Sequence, residues 1–352
     1  MDRDARGLEL PPPTRYRYSI VPLRDLSRRE VLQRLGAAGL VLGSAAALGR
    51  KVWDQGHPGL AINTDGALTR DFRVHDDGPG GPAARALLPQ IAVARNDPDR
   101  AALVRKAVEA LGGMKRFISR GDIVVVKPNI GWDRTPIHAA NTNPQVVAEV
   151  VRLAYDAGAK RVVVTDASCN EPNRCFQRSG IWKAAYDVGA DVILPAAHRF
   201  RGMRLRGEVL DDWPVYTPLV NADKIINVPI AKHHNLARYT GAMKNWYGAL
   251  GGRRNRLHQN IDVSVADLAQ FIQPTLTVVD ATRVLMRNGP QGGNVADARD
   301  MNTVIATTDQ VAADAYGCRL IGLRAEDIPY LRMGQERGLG TMSWESLRLA
   351  EV

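Results

Sequence analysis

Four stretches of the chain concentrate side chains able to move protons, hold anions or ligate a metal. Lys127-Pro128-Asn129 is followed by Asp133-Arg134-Thr135-Pro136 and His138, and Asp166 closes a run of valines. Lys232-His233-His234 precedes Lys244-Asn245 and His258, and Asp280 ends another apolar run. A lysine taken out of water has its neutral amine favoured and serves as base or nucleophile, which makes Lys244, beside Trp246 and Tyr247, the leading catalytic candidate. Imidazole is the side chain whose ordinary titration falls nearest neutrality, so His138, His234 and His258 suit acid–base work, and His234 and His258 are also candidate metal ligands through neutral imidazole. Arg134 has the fork that grips a carboxylate, Lys127, Asn129, Lys232 and Asn245 are candidate substrate contacts, and Asp166 and Asp280 would orient the histidines. Together they point to a small anionic, carboxylate-type ligand. The plainer readings are a solvated Lys244, a His234 satisfied by a backbone carbonyl, and Gly251-Gly252 as a turn.

The elements that carry these groups alternate in type. Apolar runs at 123–127, 161–166, 191–194, 224–228, 276–280 and 302–306 read as strands, the first bounded by Gly121 and Pro128 as a strand buried on both faces would be. Between them, Asp97-Pro98 opens a helix to about residue 111, with Asp97 as its cap. Asn143-Pro144 opens another that stops at Gly158, a third runs over 181–188 to Gly189, and a fourth over 309–320. The expectation is an α/β fold: a mostly parallel sheet flanked by helices, a single main domain, and a small antiparallel excursion within residues 199–218. The candidate groups then fall at strand ends and the loops after them, where open parallel sheets bind ligands.

Composition narrows the function classes. The 352 residues carry 47 Lys+Arg against 37 Asp+Glu, a formal charge of +10, and are 45% hydrophobic, as in ordinary globular enzymes. Cys169, Cys175 and Cys318 make no C-x-x-C pair, so a disulfide scaffold is excluded and no intrinsic iron–sulfur cluster is expected; Cys169 and Cys175 could pair, or one could ligate a metal. No Walker loop, G-x-S-x-G elbow or strand-linked G-x-G-x-x-G supports nucleotide or serine-hydrolase chemistry. Ser27-Arg28-Arg29-Glu30-Val31-Leu32 followed by an uncharged stretch at 35–49 resembles a twin-arginine export signal. Residues 1–47 are therefore expected to be an address read by the twin-arginine translocation machinery, with Ala45-Ala46-Ala47 as a cleavage point and a tether to the membrane if left uncut. Residues 48–88 read as a linker or extended arm, and 89–352 as the folded domain. The address holds eight arginines and five acids, so its loss lowers the charge to +7. The expected location is the periplasm or an equivalent exported compartment, which makes a nucleic-acid partner unexpected.

In order along residues 90–325 stand Lys127-Pro128-Asn129, Thr142-Asn143-Pro144, Lys232-x-His234, Thr240-Gly241-x-x-Lys244-Asn245-x-x-Gly248, Gly289-Pro290-x-x-Gly293 and Thr308-Asp309-x-x-Ala312-x-Asp314. On these motifs the chain resembles domain-of-unknown-function family 362. Members of that family often stand beside ferredoxin modules, which implies a separate redox partner for a chain without cluster cysteines. A weaker similarity is to the nickel-pincer lactate racemase family, through Asp133-Arg134-Thr135-Pro136, His234, Lys244 and His258, although Arg and Thr are exchanged in the loop and one residue is lost. That resemblance implies a metal or organometallic cofactor on Lys244 and the histidines. The expectation is an exported enzyme acting on a small anionic substrate, the alternative a non-catalytic ligand-binding or cofactor-carrying protein.

Overall fold

The computed structural model describes residues 70–73 and 88–352, which belong to one unit, Ile62–Val352. The export address and most of the arm lie outside the described residues. In chain order the strands are β1 (Arg70–Asp71), β2 (Ile91–Arg95), β3 (Ile123–Pro128), β4 (Arg161–Thr165), β5 (Asp191–Ile193), β6 (Phe200–Arg204) and β7 (Asp212–Tyr216). They continue as β8 (Lys224–Val228), β9 (Ile230–His234), β10 (Arg238–Thr240), β11 (Ile272–Gln273), β12 (Leu276–Leu285), β13 (Ala298–Thr307) and β14 (Leu349–Glu351). The helices are α1 (Arg100–Ala110), α2 (Pro144–Asp156), α3 (Pro172–Arg178), α4 (Ile181–Tyr186), α5 (Thr217–Val220), α6 (Ile261–Phe271), α7 (Gln310–Leu320) and α8 (Pro329–Glu336).

The main sheet has ten strands, with β14-β2-β13-β12-β8-β3-β4-β5 as its path, β9 added beside β12 and β10 beside β9. From β12 to β5 every pairing is parallel. Alternate residues of one strand feed different cores, as the two-residue period requires. Val124, Val126, Val162 and Val164 pack with α1 and α2, while Val125 and Val163 face the cluster built by α6, α7 and α8. The residue 199–218 excursion is the antiparallel ribbon of β6 and β7.

Three expectations need correction. α1 begins at Arg100, because Asp99 caps it by accepting from the Ala101 amide at 2.9 Å while Asp97 accepts from the Asp99 amide. The strand at 276–280 runs on to Leu285 and turns back antiparallel into β13, since the 12 residues between them hold only a short 3₁₀ turn and no crossover helix. Lys232-His233-His234, expected at the end of the strand at 224–228, belongs to a strand of its own: the chain breaks at Pro229, leaves the side of β3 and resumes as β9 alongside β12. Among the described residues no helix is long and apolar enough to cross a membrane.

Candidate functional site

At the ends of β3 and β4 the amine of Lys127 lies 2.7 Å from Asp166 Oδ1, and Asp166 Oδ2 accepts from the Ile130 amide at 2.7 Å. Both side chains are buried. Burial pushes the Lys127 amine below the usual lysine range and the Asp166 carboxylate opposes that shift. Gly248 roofs the pair: a Cβ there would stand 1.8 Å from Asp166 Oδ1 and 2.7 Å from the Lys127 nitrogen. Gly248→Ala must therefore push the buried ion pair apart, and we expect it to cost about 3 kcal/mol or more, the upper range for overpacking, read from urea unfolding.

Beside this pair an amide relay ties distant strands together. Lys232 donates to Asn129 Oδ1 at 3.3 Å and to the Ala140 carbonyl. Asn129 Nδ2 donates to Asn245 Oδ1 at 3.1 Å, and Asn245 Nδ2 donates to Asn227 Oδ1 at 2.8 Å and to the Lys127 carbonyl at 3.2 Å. Asn227, opposite Lys127 in the β3–β8 register, completes the chain by donating to the Ala242 carbonyl at 3.0 Å. Sequence reasoning passed over Asn227; the signal was an amide inside the otherwise apolar strand Lys-Ile-Ile-Asn-Val.

Lys244 opens a 3₁₀ segment, Lys244–Ala249, whose entry is held by Asp314, a carboxylate on α7 that accepts from the Ala242 and Met243 amides. Trp246 anchors the same segment by donating to Gln310 Oε1 at 2.9 Å. The Lys244 amine lies over the face of Tyr247, 3.3 Å from the ring centroid, and makes no hydrogen bond among the described residues. Burial pushes both Lys232 and Lys244 down to about 7; Cys169 opposes the shift of both and Asp166 that of Lys232, but neither the thiol nor the carboxylate bonds to these amines.

The two histidines are fixed in complementary states. His234 Nδ1 accepts from the Leu236 and Ala237 amides, each at 3.1 Å, so its proton must sit on Nε2. Burial, with Lys244 next in effect, pushes this ring far below the usual histidine range. His258 has its Nδ1 3.0 Å from the Asn255 carbonyl, which accepts the proton there and leaves Nε2 as the lone pair. Burial and Lys244 push His258 down as well. The rings lie 6.4 Å apart, and His258 meets the edge of Tyr247.

These groups converge on a cavity of about 570 Å³, lined by Asn129, Asp166, Lys232, His234, Lys244, Asn245 and His258, together with Thr240, Cys169, Trp132 and Tyr247. Lys127 stands behind the wall through Asp166. Arg254 reaches the cavity too, but it donates to the backbone carbonyls of Ala167 at 2.7 Å, Tyr247 at 3.1 Å and Ser168, and so pins the wall.

Arg134, His138 and Asp280 are not among the lining residues. Arg134 donates to the neighbouring Asp133 carbonyl, and His138 Nδ1 is 3.0 Å from the Thr135 hydroxyl. Neither aspartate orients a histidine. Asp280 caps the entry to α2 by accepting from the Asn143 amide at 2.7 Å and binds the Thr282 amide and hydroxyl, while both oxygens of Asp166 are taken by Lys127 and Ile130.

The metal reading of His234 also fails, since Nδ1 is filled by two N–H donors and Nε2 carries the proton. Among the described residues no three His, Cys, Asp or Glu side chains come together as a ligand set. A nickel-pincer group would need a lysine tether, a histidine lone pair and the arginine loop. Lys244 meets the first need and the His258 Nε2 lone pair the second, but Arg134 is not among the lining residues, so the residues present lack the arginine loop and do not fit that group. Cys169 and Cys175 are free thiols.

The chain is 25% identical over 254 residues to the thylakoid-associated protein sll1697 of Synechocystis, covering 69% of this chain and 77% of that protein. Two solved structures overlap it more loosely. One is a Thermotoga maritima protein with 12% identity and a TM-score of 0.40, the overlap spanning 64% of this chain and 60% of that one. The other is the lactate racemase apoprotein of Thermoanaerobacterium thermosaccharolyticum, with 10% identity and a TM-score of 0.37, spanning 65% of this chain and 56% of that one. Residues 124–319, which hold every cavity-lining group named above, match the family described as Domain of unknown function (DUF362), and the chain belongs to that family.

Proposed function

We propose that the chain is an exported enzyme that binds a small carboxylate in this cavity and moves protons on it with Lys244, His234 and His258. The observation that carries the reading is a charge imbalance: Lys232 and Lys244 are buried in one cavity whose single carboxylate, Asp166, is already paired to Lys127. Buried charges need partners, and an anionic ligand supplies the missing one. The cavity then offers a neutral or cationic amine, one imidazole locked as an N–H donor and one presenting a lone pair, a set suited to removing and returning a proton next to a carbonyl. The rival reading is a carrier that binds the same acid without chemistry.

Exchange of carbon-bound hydrogen in D₂O separates the two. Two-oxo and two-hydroxy acids offered to the protein and followed by NMR should lose their Cα or Cβ proton signal, and Lys244→Met should slow that loss by about 100-fold or more, the usual worth of a positioned acid or base. An acid that binds and keeps its protons would make the protein a carrier.

For location, the reading rests on Arg28-Arg29 and the uncharged stretch behind them, with a relative named for thylakoid association pointing the same way. Arg28→Lys with Arg29→Lys should hold the protein in the cytoplasmic fraction, checked by cell fractionation; unchanged export would remove the twin-arginine route.

A further inference from the structure

Beside the free Nε2 atoms of His234 and His258, two cavity-lining groups have no hydrogen-bond partner among the described residues, and they differ in kind. Thr240 is 3% exposed and its hydroxyl has no hydrogen-bond partner. It pairs directly with Lys232 across the antiparallel β9–β10 ladder, so the two side chains rise from one face of the sheet, and both line the cavity. Two of the three N–H bonds of Lys232 go to Asn129 and Ala140, which leaves one for a ligand beside the Thr240 hydroxyl. The second group is the Lys244 amine, lying on the Tyr247 ring with no hydrogen-bond partner among the described residues. One seat fits an oxyanion; the other is a nucleophile.

Building on the carboxylate reading above, we propose that the ligand is a small oxo acid whose carboxylate sits on Lys232 and Thr240 and whose carbonyl carbon is attacked by Lys244 to form an imine. The neutral amine adds to the carbonyl, and His234 Nε2–H hydrogen-bonds the oxygen as charge develops on it. The Nε2 lone pair of His258 carries the two amine hydrogens in turn to that oxygen, which leaves as water. The C=N bond replaces C=O with no oxidant or reductant. Neither a carboxylate seat without the amine nor an amine without the seat would select this class.

The test uses the full chain with pyruvate and sodium cyanoborohydride, followed by intact mass and peptide mapping. Lactate serves as the acid without a carbonyl and acetone as the carbonyl without an acid. One carboxyethyl group should appear on Lys244, at least about tenfold faster than on any surface lysine, and acetone should give no such preference. Thr240→Val, which keeps the shape and removes the hydroxyl, should slow the labelling about tenfold, as loss of one hydrogen bond would. Labelling spread over surface lysines, or falling on Lys232 or Lys127, overturns the proposal. Pyruvate and lactate raising the melting temperature with no adduct would overturn the imine and leave Lys244 as a base. No response to either acid would remove the carboxylate reading with it.

Discussion

Asp166→Ala is expected to lower the free energy of unfolding by about 3–5 kcal/mol, the cost of leaving one member of a buried ion pair alone. Lys127 has no exposed surface, and its other hydrogen bond is to the Pro128 carbonyl at 3.2 Å, so no second anion replaces the lost one. The Ile130 amide loses its acceptor as well. Lys127→Met combined with Asp166→Asn should recover most of the loss, because the charge leaves together with its partner and the Asn oxygen still accepts from Ile130. Urea unfolding of the three proteins reads this directly. A loss below about 1 kcal/mol for Asp166→Ala would mean that the pair behaves as a surface salt bridge and that water reaches it.

The second large effect is on pH. With Lys232 and Lys244 pushed down to about 7, an anion that needs a charged lysine should bind about 30-fold less tightly at pH 8.5 than at pH 6 for each lysine it needs. Stability of the ligand-free protein runs the other way. A lysine with a folded value near 7 and an unfolded value near 10.5 binds fewer protons folded than unfolded between those limits, so unfolding becomes harder as pH rises from about 7 to 10. Asp314, pushed up to about 7, holds more protons folded, so its contribution falls between about pH 4 and 7. These groups therefore place a dip in stability near neutrality, which a bound carboxylate should fill. Melting curves at pH 5, 7 and 9 with and without pyruvate check both signs; a ligand effect that grows toward pH 9 would contradict the lysine assignment.

Much of the framework was legible because its signals are local. Valine runs set β3 and β4, Asn143-Pro144 set the start of α2, and Asp309 set the start of α7, where it accepts from the Ala312 amide at 2.8 Å. Seven of the residues singled out for chemistry line one cavity although they are spread over residues 129–258. What stayed hidden depends on partners far along the chain. Asp280 looks like any strand-end carboxylate until the Asn143 amide is seen beside it, and the state of His234 is decided by the backbone turn after it. Pairing sense is likewise absent from an apolar run, which is why β13 reads as one more parallel strand until its hairpin with β12 is known.

The relay from Lys232 through Asn129 and Asn245 to Asn227 joins residues up to 116 positions apart. No fragment of the chain can hold the cavity together, so its presence is tied to the cooperative unit as a whole. Occupancy and global unfolding are then linked quantities: a ligand present at a hundred times its dissociation constant adds about 2.7 kcal/mol to the folded state. For a domain of this size that is a rise of several degrees in melting temperature. Heat resistance thus becomes a reporter through which an unlabelled collection of organic acids can be searched for the one this cavity was built to hold.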